Sequence, residues 1–153
     1  MAMKKHLSKK EIKNLSDDLL KFGDELSKKD SVELVKDDKY SFILVNSVTR
    51  YFYYDGQLVP FLKNFSPQRL RDVKVDKGAI KFVVGGADIM RPGIVEVDKD
   101  IKQGEVVRVV EEIHGKGIAL GIALVSGKEM EKSESGKMVK NIHYVGDNIW
   151  KSG

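Results

Sequence analysis

The residues best suited to chemistry lie in one short run, Gly85-Gly86-Ala87-Asp88-Ile89-Met90-Arg91-Pro92-Gly93. Paired glycines after an apolar stretch let the backbone turn tightly and come close to another surface. Ala87 to Met90 is long enough for one helical turn, whose N-terminus would expose unpaired N–H groups to an anion such as phosphate. Arg91-Pro92-Gly93 then forms a rigid exit carrying one guanidinium. The same spacing also suits a plain strand–helix–strand connection without a ligand, and spacing alone leaves both readings open.

Other chemistries lack their parts. His6, His114 and His143 are far apart and show no metal-ligand spacing, and the chain has no cysteine. A thiolate metal site and a disulfide framework are therefore excluded. There is no Gly-x-Ser-x-Gly elbow and no Cys-His pair, so an enzyme is not expected, nor a cofactor. Glu111-Glu112 and Asp37-Asp38 sit near turns and read as solvated pairs. Gly115 to Gly121 resembles a dinucleotide fingerprint but precedes a strand. Gly121 to Lys128 resembles a phosphate loop, but Glu129 stands where Ser or Thr belongs. Both are read as β-turn glycines.

The elements that position the Gly85–Gly93 run are legible in outline. Ser8 and Glu11 form a capping-box pair, and Ile12, Leu15, Leu19, Phe22 and Leu26 follow at helical spacing as one buried stripe. Gly23 ends or bends that helix. Val32 to Val35, Tyr40 to Val45 and Thr49 to Tyr54 read as strands, and Asp55-Gly56 as a two-residue hairpin turn. Its partner strand, Gln57 to Lys63, contains Pro60, which places it at an edge or a bulge. Ser66-Pro67 signals a short helix. Beyond Val73 the texture changes to short strands with glycine turns: Ile80 to Val84, Ile94 to Val97, Glu105 to Val110, Ile118 to Val125 and Asn141 to Trp150. Ser126 caps a short polar helix running to about Ser133. This pattern predicts an α+β domain over 1–72 followed by a compact β-barrel over 73–153.

Composition sets the class of partner only loosely. The 153 residues are 41% hydrophobic and 33% charged, enough apolar material for a core in a stable intracellular chain. No apolar run approaches the ~20 residues of a membrane helix, and the first lysines precede no apolar stretch of a signal peptide. A cytoplasmic protein without a membrane partner is expected. The net charge of +4 suits a polyanion, yet it is spread evenly. Residues 1–72 hold 14 of the 27 Lys and Arg and 11 of the 23 Asp and Glu, so neither half is a basic arm.

Taken together, Val83-Val84-Gly85-Gly86-Ala87-Asp88-Ile89-Met90-Arg91-Pro92-Gly93-Ile94 resembles the signature of PUA domains, named from pseudouridine synthase and archaeosine transglycosylase. Gly104-Glu105-Val106-Val107 and Ala119-Leu120-Gly121 fall where that family has its next strand start and its small-residue strand. The resemblance covers about Val73 to Lys151. A narrower one rests on Val75 to Val83 and on Asn141-Ile142-His143-Tyr144-Val145-Gly146-Asp147-Asn148-Ile149-Trp150. These are similar to the malignant-T-cell-amplified-sequence family, called translation-machinery-associated proteins in yeast, and the length and charge fit an archaeal member. Lys28 to Val35 and the Asp55-Gly56 hairpin fit that family's N-terminal domain less specifically.

The resemblance implies an α+β N-terminal domain followed by a PUA-type mixed β-barrel with short helices. It implies a non-catalytic RNA-binding protein that contacts tRNA or ribosomal RNA in translation initiation or recycling. Its partners would be the small ribosomal subunit and a translation-factor protein. The alternative is a PUA specificity subunit that presents RNA to a separate RNA-modifying enzyme. Carried over residue by residue, the RNA surface is Gly85, Gly86, Ala87, Asp88, Ile89, Met90, Arg91, Pro92 and Gly93 with His143 and Tyr144. Lys77, Lys81 and Lys116 rim it. Shape and phosphate contacts are expected to dominate.

Overall fold

The computed structural model describes residues 3–64 and 70–153, and the expected Ser66-Pro67 helix start lies outside them. The chain divides into two compact units, Met1–Arg69 and Leu70–Ser152.

The first unit is an antiparallel sheet with one helix. Strands β1 (Met3–His6), β2 (Val32–Lys36), β3 (Ser41–Val45), β4 (Val48–Tyr54) and β5 (Gln57–Pro60) lie in sequence order. Helix α1 (Lys9–Leu19) starts where the capping pair predicts: Glu11 N donates to Ser8 Oγ at 3.1 Å and Ser8 N to Glu11 Oε1 at 3.0 Å. Those bonds, with Lys5 beside it, hold the Glu11 carboxyl down to about 2. A 3₁₀ turn (Leu20–Phe22) follows and Gly23, at φ 72°, ends the helix. Leu15, Leu19 and Phe22 are buried, whereas Ile12 and Leu26 are only half-buried. Asp55 and Gly56 take φ 50° and 76°, the left-handed pair that a tight hairpin turn requires, and Tyr54 faces Gln57 across it. Pro60 sits on the outermost strand, where no ladder N–H is missed. Strand β1 was not foreseen, because its Met-Lys-Lys-His sequence is exposed throughout and shows no alternation.

The second unit is a nearly closed mixed barrel. Its strands are β6 (Asp72–Val75), β7 (Ile89–Met90), β8 (Ile94–Val97), β9 (Val106–Glu111), β10 (Gly117–Ala123) and β11 (Lys137–Tyr144). They are ordered β7-β11-β10-β9-β6-β8, with β6 and β9 parallel and every other pairing antiparallel. Alternating Val73 and Val75, Val107 and Val109, with Ala119, Val139 and Met130, fill the interior. Helix α3 (Gly127–Lys132) is capped by Ser126, as its sequence predicts. Gly121 is not a turn residue. It lies inside β10 at a register shift, where a Cβ would collide with Val139 and the Lys140 carbonyl.

One expected strand is replaced by helix, and another gives way to helix at its end. Ile80 to Val84 is not extended: a 3₁₀ turn (Lys77–Ala79) runs into α2 (Ile80–Val83). Asp76 starts it, its side chain accepting from Ala79 N at 2.9 Å, and a five-residue run interrupted by Lys81 cannot by itself choose between strand and helix. At the other end β11 begins at Lys137, earlier than expected, and stops at Tyr144. Gly146 turns at φ 85° and α4 (Asn148–Ser152) follows, with Asp147 Oδ1 accepting from Trp150 N at 2.7 Å.

Candidate nucleic-acid interface

The Gly85–Gly93 run closes a helix rather than opening one. Gly85 N donates to Phe82 O, Gly86 N to Val83 O and Ala87 N to Phe82 O, so these residues absorb the last carbonyls of α2. Ala87 to Met90 therefore holds no helical turn; Ile89 and Met90 pair with β11 as strand β7, and a 3₁₀ turn spans Arg91–Gly93. The expected phosphate seat at a helix N-terminus is absent from this run.

Side chains of β11 fasten the run down. Asn141 Nδ2 donates to Val83 O at 2.9 Å and Ala87 O at 3.0 Å, and Asn141 N donates to Asp88 Oδ1 at 2.9 Å. Lys137 pairs with Asp88 at 3.0 Å. Burial would raise the Asp88 carboxyl, but the Asn141 N–H and Lys137 outweigh it and leave the group below its ordinary value. Gly86 takes φ 97° and the Tyr144 ring lies against it. Arg91, expected to reach a phosphate, turns inward. Its Nη1 donates to Ile94 O at 3.0 Å, and its Nε is buried without a hydrogen-bond partner.

Between α2 and β7 lies a pocket of about 300 Å³, walled by Ala79, Phe82, Val83, Ala87, Ile89 and Met90, with Asp88 and Gly93 also in its lining. Phe82 is 60% exposed and Met90 47%, so two large apolar side chains stand at its mouth facing water. Lys81 Nζ sits 5.1 Å from the centroid of the Phe82 ring. An exposed ring, an apolar hollow and a cation together suit a flat, unstacked base with a phosphate beside it.

Of the remaining expected residues, Lys77 opens the 3₁₀ turn that leads into α2, and Lys116 directly precedes β10. Lys77 N donates to Glu112 Oε1 at 3.1 Å, and Glu112 begins the turn that carries Lys116. That turn is organised by Glu111, which is buried rather than solvated. Its carboxylate accepts from Ile113 N at 2.8 Å, His114 N at 2.8 Å and Lys116 N at 3.0 Å. These bonds, led by Lys116 N–H, hold the carboxyl below its ordinary value against the opposing effect of burial.

Two expected contacts do not present side chains. Ile89 is 2% exposed because it faces the barrel core. His143 is wholly buried, its Nδ1 2.9 Å from Asp147 Oδ2. The same Asp147 accepts from Tyr144 N at 2.9 Å, so this pair shapes the end of β11 and the seat of Tyr144. Burial lowers the His143 pKa, and Asp147 only partly offsets it. Phe82, Asn141, Glu111 and Asp147 were the residues missed. Among these, only Asp147, following a glycine and preceding Asn148, carried a local capping signal.

Among the described residues no group of three or more His, Cys, Asp or Glu is placed to hold a metal ion, and no helix is long and apolar enough to cross a membrane.

Comparison with known proteins agrees with the two-unit division. The PUA domain profile matches residues 71–145, and a domain of unknown function (DUF1947) matches residues 4–66. An uncharacterized protein of Methanocaldococcus jannaschii is 44% identical over 152 residues, covering 94% of this chain and 93% of that protein. Translation machinery-associated protein 20 of Schizosaccharomyces pombe is 33% identical, covering 83% of this chain and 75% of that protein. Malignant T-cell-amplified sequence 2 of Homo sapiens is 33% identical, covering 82% and 73%. The crystal structure of a hypothetical protein from Pyrococcus horikoshii superimposes with a TM-score of 0.81 at 38% identity, covering 98% of this chain and 99% of that one.

Proposed function

The chain belongs to the PUA-domain family that includes translation machinery-associated protein 20 and the malignant T-cell-amplified sequence proteins, and from that premise we propose that it is a non-catalytic RNA-binding protein of the translation apparatus. It contacts tRNA or ribosomal RNA during initiation or recycling, in the cytoplasm, with the small ribosomal subunit as its setting.

The observation that carries this reading is the exposed Phe82 ring at the mouth of the apolar pocket, with Lys81 above it. A 60%-exposed phenyl ring does nothing for a barrel core, whereas stacking on an RNA base contributes ~1–3 kcal/mol. The contact set is Lys81, Phe82, Ala87, Asp88 and Met90 at the pocket, the Gly85-Gly86 backbone with Tyr144 beside it, and Lys77 and Lys116 toward phosphates. Pro92 and Gly93 complete its far side. The mode differs from a phosphate cradle: a base enters an apolar hollow while lysines neutralise the backbone around it.

The test is crosslinking in cells followed by sequencing of the bound RNA, with co-sedimentation on ribosomal subunits. Enrichment of tRNA or ribosomal RNA, with crosslinks in 77–93, is expected. Recovery of a modification enzyme with its RNA would move the chain to the specificity-subunit reading. Absence of any enriched RNA would sink both.

A further inference from the structure

Apart from Glu11, which the capping box holds in the first turn, helix α1 carries its charges in the reverse of the order that its own dipole favours. Acidic groups are stabilising at a helix N-terminus and basic groups at the C-terminus. Here Lys9, Lys10 and Lys13 occupy the first turns, while Asp17 and Asp18 occupy the last. Lys9 and Lys13 are also four apart, a like-charge spacing that destabilises a helix. All three lysines are exposed, and the buried face of the helix is made by Leu15 and Leu19 instead.

Nearby acids do not neutralise them. Glu11 is occupied by Ser8 N and by Lys5 Nζ at 2.9 Å. Glu33, buried on β2 opposite His6 of β1, takes Lys4 at 3.1 Å with His6 at 3.8 Å. Among the described residues, no ion pair within 4.0 Å involves Lys9, Lys10 or Lys13. The helix thus concentrates three free ammonium groups where they cost stability and support no packing.

We propose that Lys9, Lys10 and Lys13 form an RNA-backbone contact on the N-terminal unit, separate from the pocket of the barrel. The inference rests on the RNA-binding reading above and adds a second site to it. The ligand is the phosphate chain, because the cluster offers point charges without a pocket or an exposed ring to read a base. An anionic membrane surface is disfavoured by the same face. The exposed positions of α1 are Lys9, Lys10, Lys13, Asn14, Asp17 and Asp18, none of them apolar, and the single exposed Leu20 that follows its last residue is too little to anchor a bilayer contact. At the helix start the N–H groups of Ser8 and Glu11 are already taken by the capping pair, so the contact is assigned to the ammonium groups.

The test uses the full chain with Lys9→Gln, Lys10→Gln and Lys13→Gln together. Its control removes the same charge from other exposed lysines of the unit: Lys28→Gln, Lys29→Gln and Lys39→Gln. Affinity for bulk tRNA and for a structured ribosomal RNA fragment is measured across salt concentrations. The helix triple is expected to lose about tenfold in affinity at low salt, its log–log salt slope shallower by about 2–3, as three lost phosphate contacts give. Its melting temperature should hold or rise, because the unfavourable charge order is relieved. The control should lose far less.

Equal loss in the control overturns the proposal, as does an unchanged helix triple. Binding of the wild type to phosphatidylserine vesicles through these lysines, with RNA affinity unaffected by the triple, would assign the cluster to lipid and overturn it too. Phe82→Ala measured in parallel separates the two readings. If Phe82→Ala weakens binding and the triple does not, the pocket stands and the second site falls. If the wild type binds neither RNA, both fall.

Discussion

The ring of Tyr144 closes over Gly86. A Cβ added at residue 86 would stand 3.3 Å from both Cε1 and Oη of Tyr144, and the backbone there is held at φ 97°. Gly86→Val must therefore strain the turn and push the ring away, at ~1–3 kcal/mol for the strain alone. RNA affinity should fall beyond what the unfolded fraction explains, because the pocket rim moves. Gly56, at φ 76° with nothing within 4 Å of its Cβ position, is the control. Gly56→Val should lose stability without losing affinity at equal folded fraction, and equal affinity loss in both would remove the loop from the site. Gly93 has ordinary φ and its Cβ would meet Ala79 at 3.4 Å, so Gly93→Ala should be the mildest of the three.

The local signals in this chain were readable and the non-local ones were not. Ser8 with Glu11, Asp55-Gly56 and Ser126 each act within four residues, and the structure has all three where the sequence places them. Ile80 to Val84 was misread because its apolar run is too short to show a period, and the deciding bond comes from Asp76, outside the run. The position of the Gly85–Gly93 run was legible, but its conformation follows from Asn141, more than fifty residues away. His143 and Glu111 show a different limit, since their partners lie within five residues and what the sequence hides is their burial. Each is polar in sequence and buried in the fold, satisfied by partners that composition cannot reveal.

Arg91 is expected to act as a structural pin. Its Nη1 bond to Ile94 O ties the exit of β7 to the start of β8. Arg91→Ala should lower stability by ~1–3 kcal/mol, the range for a hydrogen bond from a charged donor. RNA affinity measured at equal folded fraction should change little. Chemical denaturation alongside an RNA titration checks this, and an unchanged midpoint with a large affinity loss would return Arg91 to the binding surface.

His143 should make stability fall on mild acidification. Burial holds its folded pKa below the 6.5 of an exposed imidazole. As pH drops through 6.5 the unfolded chain takes up a proton that the native state refuses, so stability declines until the folded pKa is passed. Above that window the histidine contributes no pH dependence. The lowered carboxyls of Glu11, Asp88 and Glu111 act in a separate, more acidic window, since their contribution is lost only as pH falls below ordinary carboxyl values. Urea melts from pH 8 to pH 5 should show a slope in the wild type that flattens in His143→Gln. Identical slopes would mean that the buried ring takes up its proton as readily as a free one.

Phe82 and Lys81 should separate by their salt dependence. Stacking on a base releases no counterions, so Phe82→Ala should weaken RNA binding by ~1–3 kcal/mol and leave the log–log salt slope unchanged. A phosphate contact does release them, so Lys81→Gln should lower that slope by about 1. Neither change should destabilise the fold much, because both side chains are exposed and Phe82 is 60% so. Phe82→Trp keeps a stacking face and should retain most of the affinity, which a loss caused by altered packing would not. Fluorescence titrations of the three variants at several salt concentrations supply both quantities at once. A slope that shifts with Phe82→Ala, or a Trp variant as weak as the Ala variant, would mean that the ring supports neighbouring cations and that no base enters the pocket.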